Sequence, residues 1–316
     1  MDIHTLQPHR IVIGATAHAE LAALLRARRH DLEVRAAPYT HVSADDLAWA
    51  DTYMGFRRPP LPSMGNVRWV HCTGAGVDSW LYPTELSRDI LLTRTSEPFG
   101  VYIAEWALSR ALAVRQQILD LAECQQRHEW KPREISYVRG SRAIMVGTGD
   151  IGVHIARLFT ALGAEVHGVS RSGRGDRAVF TSISSVAELP SLVAQADWLL
   201  VAIPLTSDTR GLVSREILSR CRGAVLINAG RGATVDESAI PEALDQGWLS
   251  AAALDVFETE PLPQTSPLWS HSRVMISPHI SGLTTNEGAI TGFLECLAEI
   301  EAGKVPARVV DREREY

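Results

Sequence analysis

Over the first third of the chain, short apolar runs alternate with stretches of helical period, the pattern of repeated βα units. Arg10–Gly14, Leu32–Ala36, Ala50–Met54 and Arg68–Cys72 read as strands, and the Ala/Leu-rich stretch Ala19–Arg28 reads as a helix. From Val101 to Arg127 apolar residues recur at Ile103, Ala107, Ala111, Val114, Ile118 and Leu121 with no Gly or Pro inside, which predicts one long helix crossing between domains. A second βα series follows, with strand-like runs at Ala143–Val146, Val166–Val169, Trp198–Ile203, Ala224–Asn228, Ala251–Val256 and Val274–Ser277. Runs this continuously apolar suit strands covered on both faces. Asn286–Ala302 reads as a helix returning the chain to the first domain, and the polar end Asp311–Tyr316 as a frayed or surface tail.

The expected class is α/β, with two doubly wound parallel-sheet domains of Rossmann or flavodoxin type and a cleft between them. One is discontinuous, 1–97 with 287–316; the other, 98–286, is continuous. A chain of 316 residues has room for both. Hydrophobic residues at 46% and charged residues at 22% are ordinary for a globular protein. With 31 Lys+Arg against 37 Asp+Glu, the net charge of -6 gives no reason to expect nucleic acid or an anionic membrane as partner. The cluster Arg26, Arg28 and Arg29 reads as the solvated face of a helix. Cys72, Cys124, Cys221 and Cys296 lie too far apart for a metal or disulfide framework, so no metal is expected. Met1–Arg10 lacks the basic start and apolar core of a signal peptide, and the expected compartment is the cytoplasm.

The first chemical motif is Gly147-Thr148-Gly149-Asp150-Ile151-Gly152, directly after the run Ala143–Val146 and opening a helical stretch. Strand, GxGxxG, helix is the dinucleotide fingerprint. The first glycine permits a tight turn, the second lets a pyrophosphate approach the backbone, and the third packs helix on strand, with helix N-terminal amides facing the anion. After the next run, where an NAD site usually carries an acid, this chain reads Ser170-Arg171-Ser172, with Arg174 close by. A hydroxyl and a guanidinium suit a 2′-phosphate that a carboxylate would repel, so NADP is expected over NAD.

Three further segments each follow an expected strand: Asn228-Ala229-Gly230-Arg231-Gly232, Asp255 to Leu262 with Glu260-Pro261-Leu262, and Ser277-Pro278-His279-Ile280-Ser281-Gly282. In an open parallel sheet such strand ends converge on one edge. In this order the motifs resemble the D-isomer-specific 2-hydroxyacid dehydrogenases, over about Arg142 to Gly282, and Thr73-Gly74-Ala75-Gly76-Val77-Asp78 is similar to that family's substrate loop.

The resemblance implies that Arg231 holds the substrate carboxylate and carbonyl oxygen, His279 gives and takes the proton, and Glu260 orients His279. The assignment makes physical sense, because hydride delivered to a 2-keto carbon builds charge on oxygen that needs a cation and a proton donor. By the same resemblance Pro204, Asn228, Ala229, Arg231, Asp255, His279 and Ser281 lie along the cofactor, with Asp255 near the nicotinamide carboxamide. Ala75 and Gly76 offer amides to the substrate, and the segment from Val101 forms a homodimer interface. Met54 and Phe56 follow a strand and could line the pocket or the core. The implied substrate is a small 2-keto acid, glyoxylate or hydroxypyruvate first. A phosphoglycerate-dehydrogenase-like enzyme is one alternative and a dinucleotide-sensing corepressor-like protein another. A formate dehydrogenase fits less well, since that group carries glutamine where Glu260 stands.

Overall fold

In the first strand, β1 (Arg10–Gly14), Ile11 and Ile13 point to one face and Val12 to the other, and all three are buried. The same period of two runs through β2 (Glu33–Ala37), β3 (Thr52–Met54), β4 (Trp69–Cys72) and β5 (Leu91–Arg94): Met54 and Trp69 join Ile11 and Ile13, while Tyr53 and Val70 join Val12. The strands are parallel in the order β2-β1-β3-β4-β5. Helix α1 (His18–Arg28) and the C-terminal helix Asn286–Glu301 cover one face with Leu21, Leu25, Ile290, Phe293 and Leu297. The other face is covered around Leu47 of α2 (Ala44–Trp49) and Trp80 of α3 (Asp78–Leu81). Met54 is therefore a core residue, wholly buried, and Phe56 packs part-buried at the edge of the opposite core.

This computed structural model describes residues 5–316; Met1–His4, the start of the stretch read for a signal peptide, lie outside them. The chain divides into two compact units, one running to Glu97 and resuming at Leu283, the other Pro98–Gly282. The return is tied locally, since Thr285 donates through its amide (3.0 Å) and hydroxyl (2.9 Å) to the Glu97 carboxylate while capping the C-terminal helix.

The second unit holds α4 (Phe99–Arg115), α5 (Ile118–Gln126), β6 (Arg142–Val146), α6 (Asp150–Ala161), β7 (Glu165–Ser170), β8 (Ser182–Ser185), α7 (Leu189–Leu192), β9 (Trp198–Val201), α8 (Arg215–Leu218), β10 (Ala224–Asn228), α9 (Ile240–Asp245), β11 (Leu249–Leu254) and β12 (Val274–Ile276). Its sheet is wholly parallel, in the order β12-β11-β10-β9-β6-β7-β8. Winding reverses between β6 and β9, which puts the loop after β6 at the topological switch point, where open α/β sheets bind ligands.

Three elements depart from the sequence reading. The long helix is two helices, broken at Gln117, whose φ of 51° is left-handed. Segment 134–136 folds back on the break, with the Gln117 amide group donating to the Glu134 carbonyl and the Ser136 N–H to the Arg115 carbonyl. No Gly or Pro marks this, because tertiary hydrogen bonds hold the turn. Strands β5 and β8 were not foreseen: β5 has only two apolar residues, Leu91 and Leu92, and edge strand β8 is the polar Ser182-Ile183-Ser184-Ser185. The tail lies at the surface but is not frayed; Arg312 donates to the carbonyls of Leu86 and Ile90, and Asp311 and Tyr316 exchange backbone hydrogen bonds. The basic cluster on α1 is engaged, Arg26 with the Val34 carbonyl, Arg28 with Glu287, and Arg29 with Asp31 and Glu301.

Candidate active site

The glycine turn does what its spacing requires. Gly147 has φ 110°, closed to L side chains, and a Cβ at Gly152 would lie 1.9 Å from the Gly147 carbonyl oxygen, so helix α6 starts in direct contact with the turn. Over Gly149 nothing stands within 4 Å of an added Cβ, leaving open space at the N-terminus of the twelve-residue α6. Thr148 ties this turn to the corner after β7 by donating to the Arg174 carbonyl at 3.0 Å.

At that corner the Ser170 hydroxyl closes a tight turn, donating to the Arg174 carbonyl (2.8 Å) and accepting from the Arg174 N–H (3.0 Å). Arg171, Ser172 and Arg174 are exposed, as is Arg177. The three guanidiniums carry no hydrogen bond or ion pair with the described residues. Arg177 is an addition to the residues expected here.

The other motifs converge after β10, β11 and β12. Asn228, buried, folds the turn after β10 with both ends of its amide, accepting from Gly230 N–H (3.1 Å) and donating to the Arg231 carbonyl (3.2 Å). Half-buried Arg231 sends Nη1 to the Gly230 carbonyl at 2.9 Å. Ala229 is buried and hydrogen-bonds to the Val201 carbonyl, and Pro204, in the loop after β9, accepts from the Thr209 hydroxyl. Asn228, Ala229 and Pro204 thus shape backbone at the sheet edge.

Asp255 follows β11 and is fully buried. Its Oδ1 accepts from the Ser277 hydroxyl (2.5 Å) and Ile280 N–H (3.0 Å), and its Oδ2 from Ser281 N–H (2.8 Å). Its carbonyl accepts from His279 N–H at 2.8 Å. A carboxylate expected near the nicotinamide is thus the hub on which loop 277–281 is built. Ser277 in turn accepts from the Trp106 indole of α4 at 3.1 Å, a link the sequence reading missed although Ser277 stands inside the motif.

On this hub His279 takes φ 54°, a left-handed conformation uncommon for a side chain with a Cβ and enforced by its neighbours' hydrogen bonds. Its Nδ1 meets Glu260 Oε2 at 2.8 Å, while Glu260 Oε1 accepts from Phe257 N–H at 3.1 Å. Burial opposes ionisation of Glu260, but the hydrogen bond and charge of His279, the Phe257 amide and the charge of Arg231 together hold its carboxyl below the ordinary glutamate range. The structure therefore brings Arg231, Glu260 and His279 together in one unit. With a carboxylate on Nδ1, that nitrogen carries the hydrogen, and Nε2 is left for exchange with a ligand.

Ala75 and Gly76 belong to the other unit, on the loop after β4. Arg94, from the unforeseen strand β5, donates to the Ala75 carbonyl at 2.9 Å, and the Cys72 thiol lies 3.4 Å from the Gly76 carbonyl. Among the described residues no cluster of His, Cys, Asp and Glu could hold a metal, the four cysteines are free and buried, and no helix is long and apolar enough to cross a membrane.

Residues 108–281 match the family model described as the NAD-binding domain of D-isomer-specific 2-hydroxyacid dehydrogenases. The chain is 34% identical over 264 residues to glyoxylate/hydroxypyruvate reductase A of Serratia proteamaculans, covering 80% of this chain and 84% of that one. Among solved structures, a D-isomer-specific 2-hydroxyacid dehydrogenase family protein of Aeromonas salmonicida superposes with TM-score 0.87 at 30% identity, over 96% of this chain and 99% of that one. An NADPH-dependent glyoxylate/hydroxypyruvate reductase of Sinorhizobium meliloti, solved with NADP and sulfate, superposes with TM-score 0.83 at 28% identity, over 98% of this chain and all of that one.

Proposed function

Since the chain belongs to the D-isomer-specific 2-hydroxyacid dehydrogenase family, we propose that it reduces a small 2-keto acid, glyoxylate or hydroxypyruvate, to the 2-hydroxy acid with NADPH. It is a nicotinamide-dependent oxidoreductase of CH–OH groups. The observation that carries the reading is the 2.8 Å pair of His279 and Glu260, with the charge of Arg231 acting on it.

The residues present fit a dinucleotide: open space over Gly149, the amides at the start of α6, and three exposed arginines without a partner among the described residues at the corner where a 2′-phosphate would lie. Arg171 and Arg174, with Arg177, support NADP over NAD. The bound cofactor supplies the hydride. Arg231 holds the substrate carboxylate with its planar fork and stabilises the carbonyl oxygen as electrons move onto it. His279 Nε2 gives that oxygen its proton, and Glu260 keeps the ring oriented and supports the imidazolium before transfer. The amides of Ala75 and Gly76 are the proposed further contacts of the carboxylate. Asp255, Ser277 and Ser281 are assigned to holding the His279 loop.

A homodimer is part of the reading. Segment 118–137 exposes Ile118 (49%), Leu119 (51%), Leu121 (41%) and Trp130 (97%), a run of exposed large apolar side chains of the kind that marks a protein interface.

Purified protein mixed with NADPH or NADH and a panel of 2-keto acids, followed by absorbance, tests the proposal, and sedimentation of the same sample tests the dimer. Fastest turnover of glyoxylate or hydroxypyruvate with NADPH is expected. Clear preference for NADH would remove the NADP assignment, and no oxidation with any acid would favour a dinucleotide sensor.

A further inference from the structure

We propose that Glu237 is a positioning residue of the acid–base pair: it pins the turn that carries Glu260 and sets a second carboxylate charge behind it. The inference rests on the roles given above to His279 and Glu260. Glu237 begins the short helical turn Glu237–Ala239, six residues beyond Arg231 on the same connection, and is half-buried. Its Oε2 accepts from Glu258 N–H at 2.9 Å. The preceding amide, Phe257 N–H, goes to Glu260 Oε1 at 3.1 Å. Two successive amides of one turn are thus each held by a carboxylate, one from within the turn and one from the strand connection bearing Arg231.

The two segments also touch through backbone. A Cβ at Gly232 would lie 1.9 Å from the Phe257 carbonyl carbon, so the Arg231 connection rests directly on the turn. Through Glu237 a displacement of either segment reaches the other, and with it the distance from Arg231 to the Glu260–His279 pair.

The charges around Glu237 are mostly of its own sign. Glu258 and Glu260 face it from the turn, Asp236 adjoins it with Arg215 acting on that neighbour, and Arg231 is the cation of the connection, acting on Glu260. Burial pushes the Glu237 carboxyl above the ordinary glutamate range; the Glu258 amide works against this, and the charges of Glu258 and Glu260 add to it. Ionised Glu237 deepens the negative potential behind Glu260 and so favours the imidazolium that reduction consumes.

Glu237→Gln keeps an acceptor for the Glu258 amide and removes the charge, whereas Glu237→Ala removes both. For the glutamine variant, the plateau of kcat/KM in keto-acid reduction should stay within about twofold while its basic limb moves to lower pH by roughly half a unit. For the alanine variant kcat should also fall about tenfold, with KM for the acid within about threefold. An unshifted basic limb in Glu237→Gln, or a kcat in folded Glu237→Ala within twofold of the parent, would overturn the inference. If the alanine variant does not fold, the glutamine profile decides. His279→Gln, assayed alongside, separates the two readings: near-normal turnover there breaks the active-site assignment, while an inactive His279→Gln with unaffected Glu237 variants breaks this inference alone.

Discussion

The loop 277–281 after β12 and the corner 170–177 after β7 leave the same edge of one seven-stranded sheet, yet they use their polar groups differently. In the first, Asp255 takes four hydrogen bonds from Ser277, Ile280, Ser281 and His279, and His279 Nδ1 is held by Glu260. In the second, the Ser170 hydroxyl and the Arg174 backbone close the turn and Asp176 accepts from the Ala178 N–H, while among the described residues the guanidiniums of Arg171, Arg174 and Arg177 have no hydrogen-bond or ion-pair partner. A group that must pass a proton needs an orientation fixed before substrate arrives, which internal hydrogen bonds supply. Groups that meet a phosphate need donors not already used, and solvent keeps an exposed guanidinium at little cost until the anion comes.

The contrast can be broken most severely at the prebuilt loop. Replacing His279 with Gln should lower turnover about a thousandfold, the scale of general acid catalysis, while NADPH still binds by fluorescence titration; near-normal turnover would remove His279 from the chemistry. A smaller effect is expected at the open corner. Arg171→Ala with Arg174→Ala should raise KM for NADPH about a hundredfold and leave KM for NADH little changed, since each charge-assisted hydrogen bond to phosphate contributes about 1.5 kcal/mol at an exposed site. Equal losses with both cofactors would mean that the arginines do not read the 2′-phosphate.

The smallest effect is a stability term. Because the folded-state value of Glu260 lies below its ordinary 4.5, its ionised form stabilises the fold fully above that pH, and the contribution is lost as pH falls below 4.5 and through the lowered value. Glu260→Gln should therefore lower the melting temperature near neutrality and narrow its gap to the parent on acidification; a gap that widens toward acid would contradict the assigned direction.

Much of the sheet was legible because buried parallel strands must be apolar: Trp198–Val201 and Ala224–Asn228 carry the requirement in their composition. Edge strand β8 carries it weakly and was missed. The break at Gln117 was hidden for another reason, since its left-handed turn is held from outside by Glu134 and Ser136 rather than by a residue type. At the site, the glycine spacing and the strand-end positions of Arg231, Glu260 and His279 could be read directly, because each glycine answers a local steric demand and each strand end must reach one edge. That Asp255 is the hub of the His279 loop, that Trp106 supports Ser277, and that Glu237 grips the Glu260 turn could not be read, since these contacts join residues from 21 to 171 positions apart.

The sequence by itself determined the α/β class, the glycine turn and which side chains stand at the strand ends, because those follow from period, sterics and local spacing. Only the tertiary structure decided which of those groups are already committed to one another. Burial away from water obliges every carboxylate and amide near the site to find a partner, and that partner is chosen by packing in three dimensions, not by neighbours along the chain.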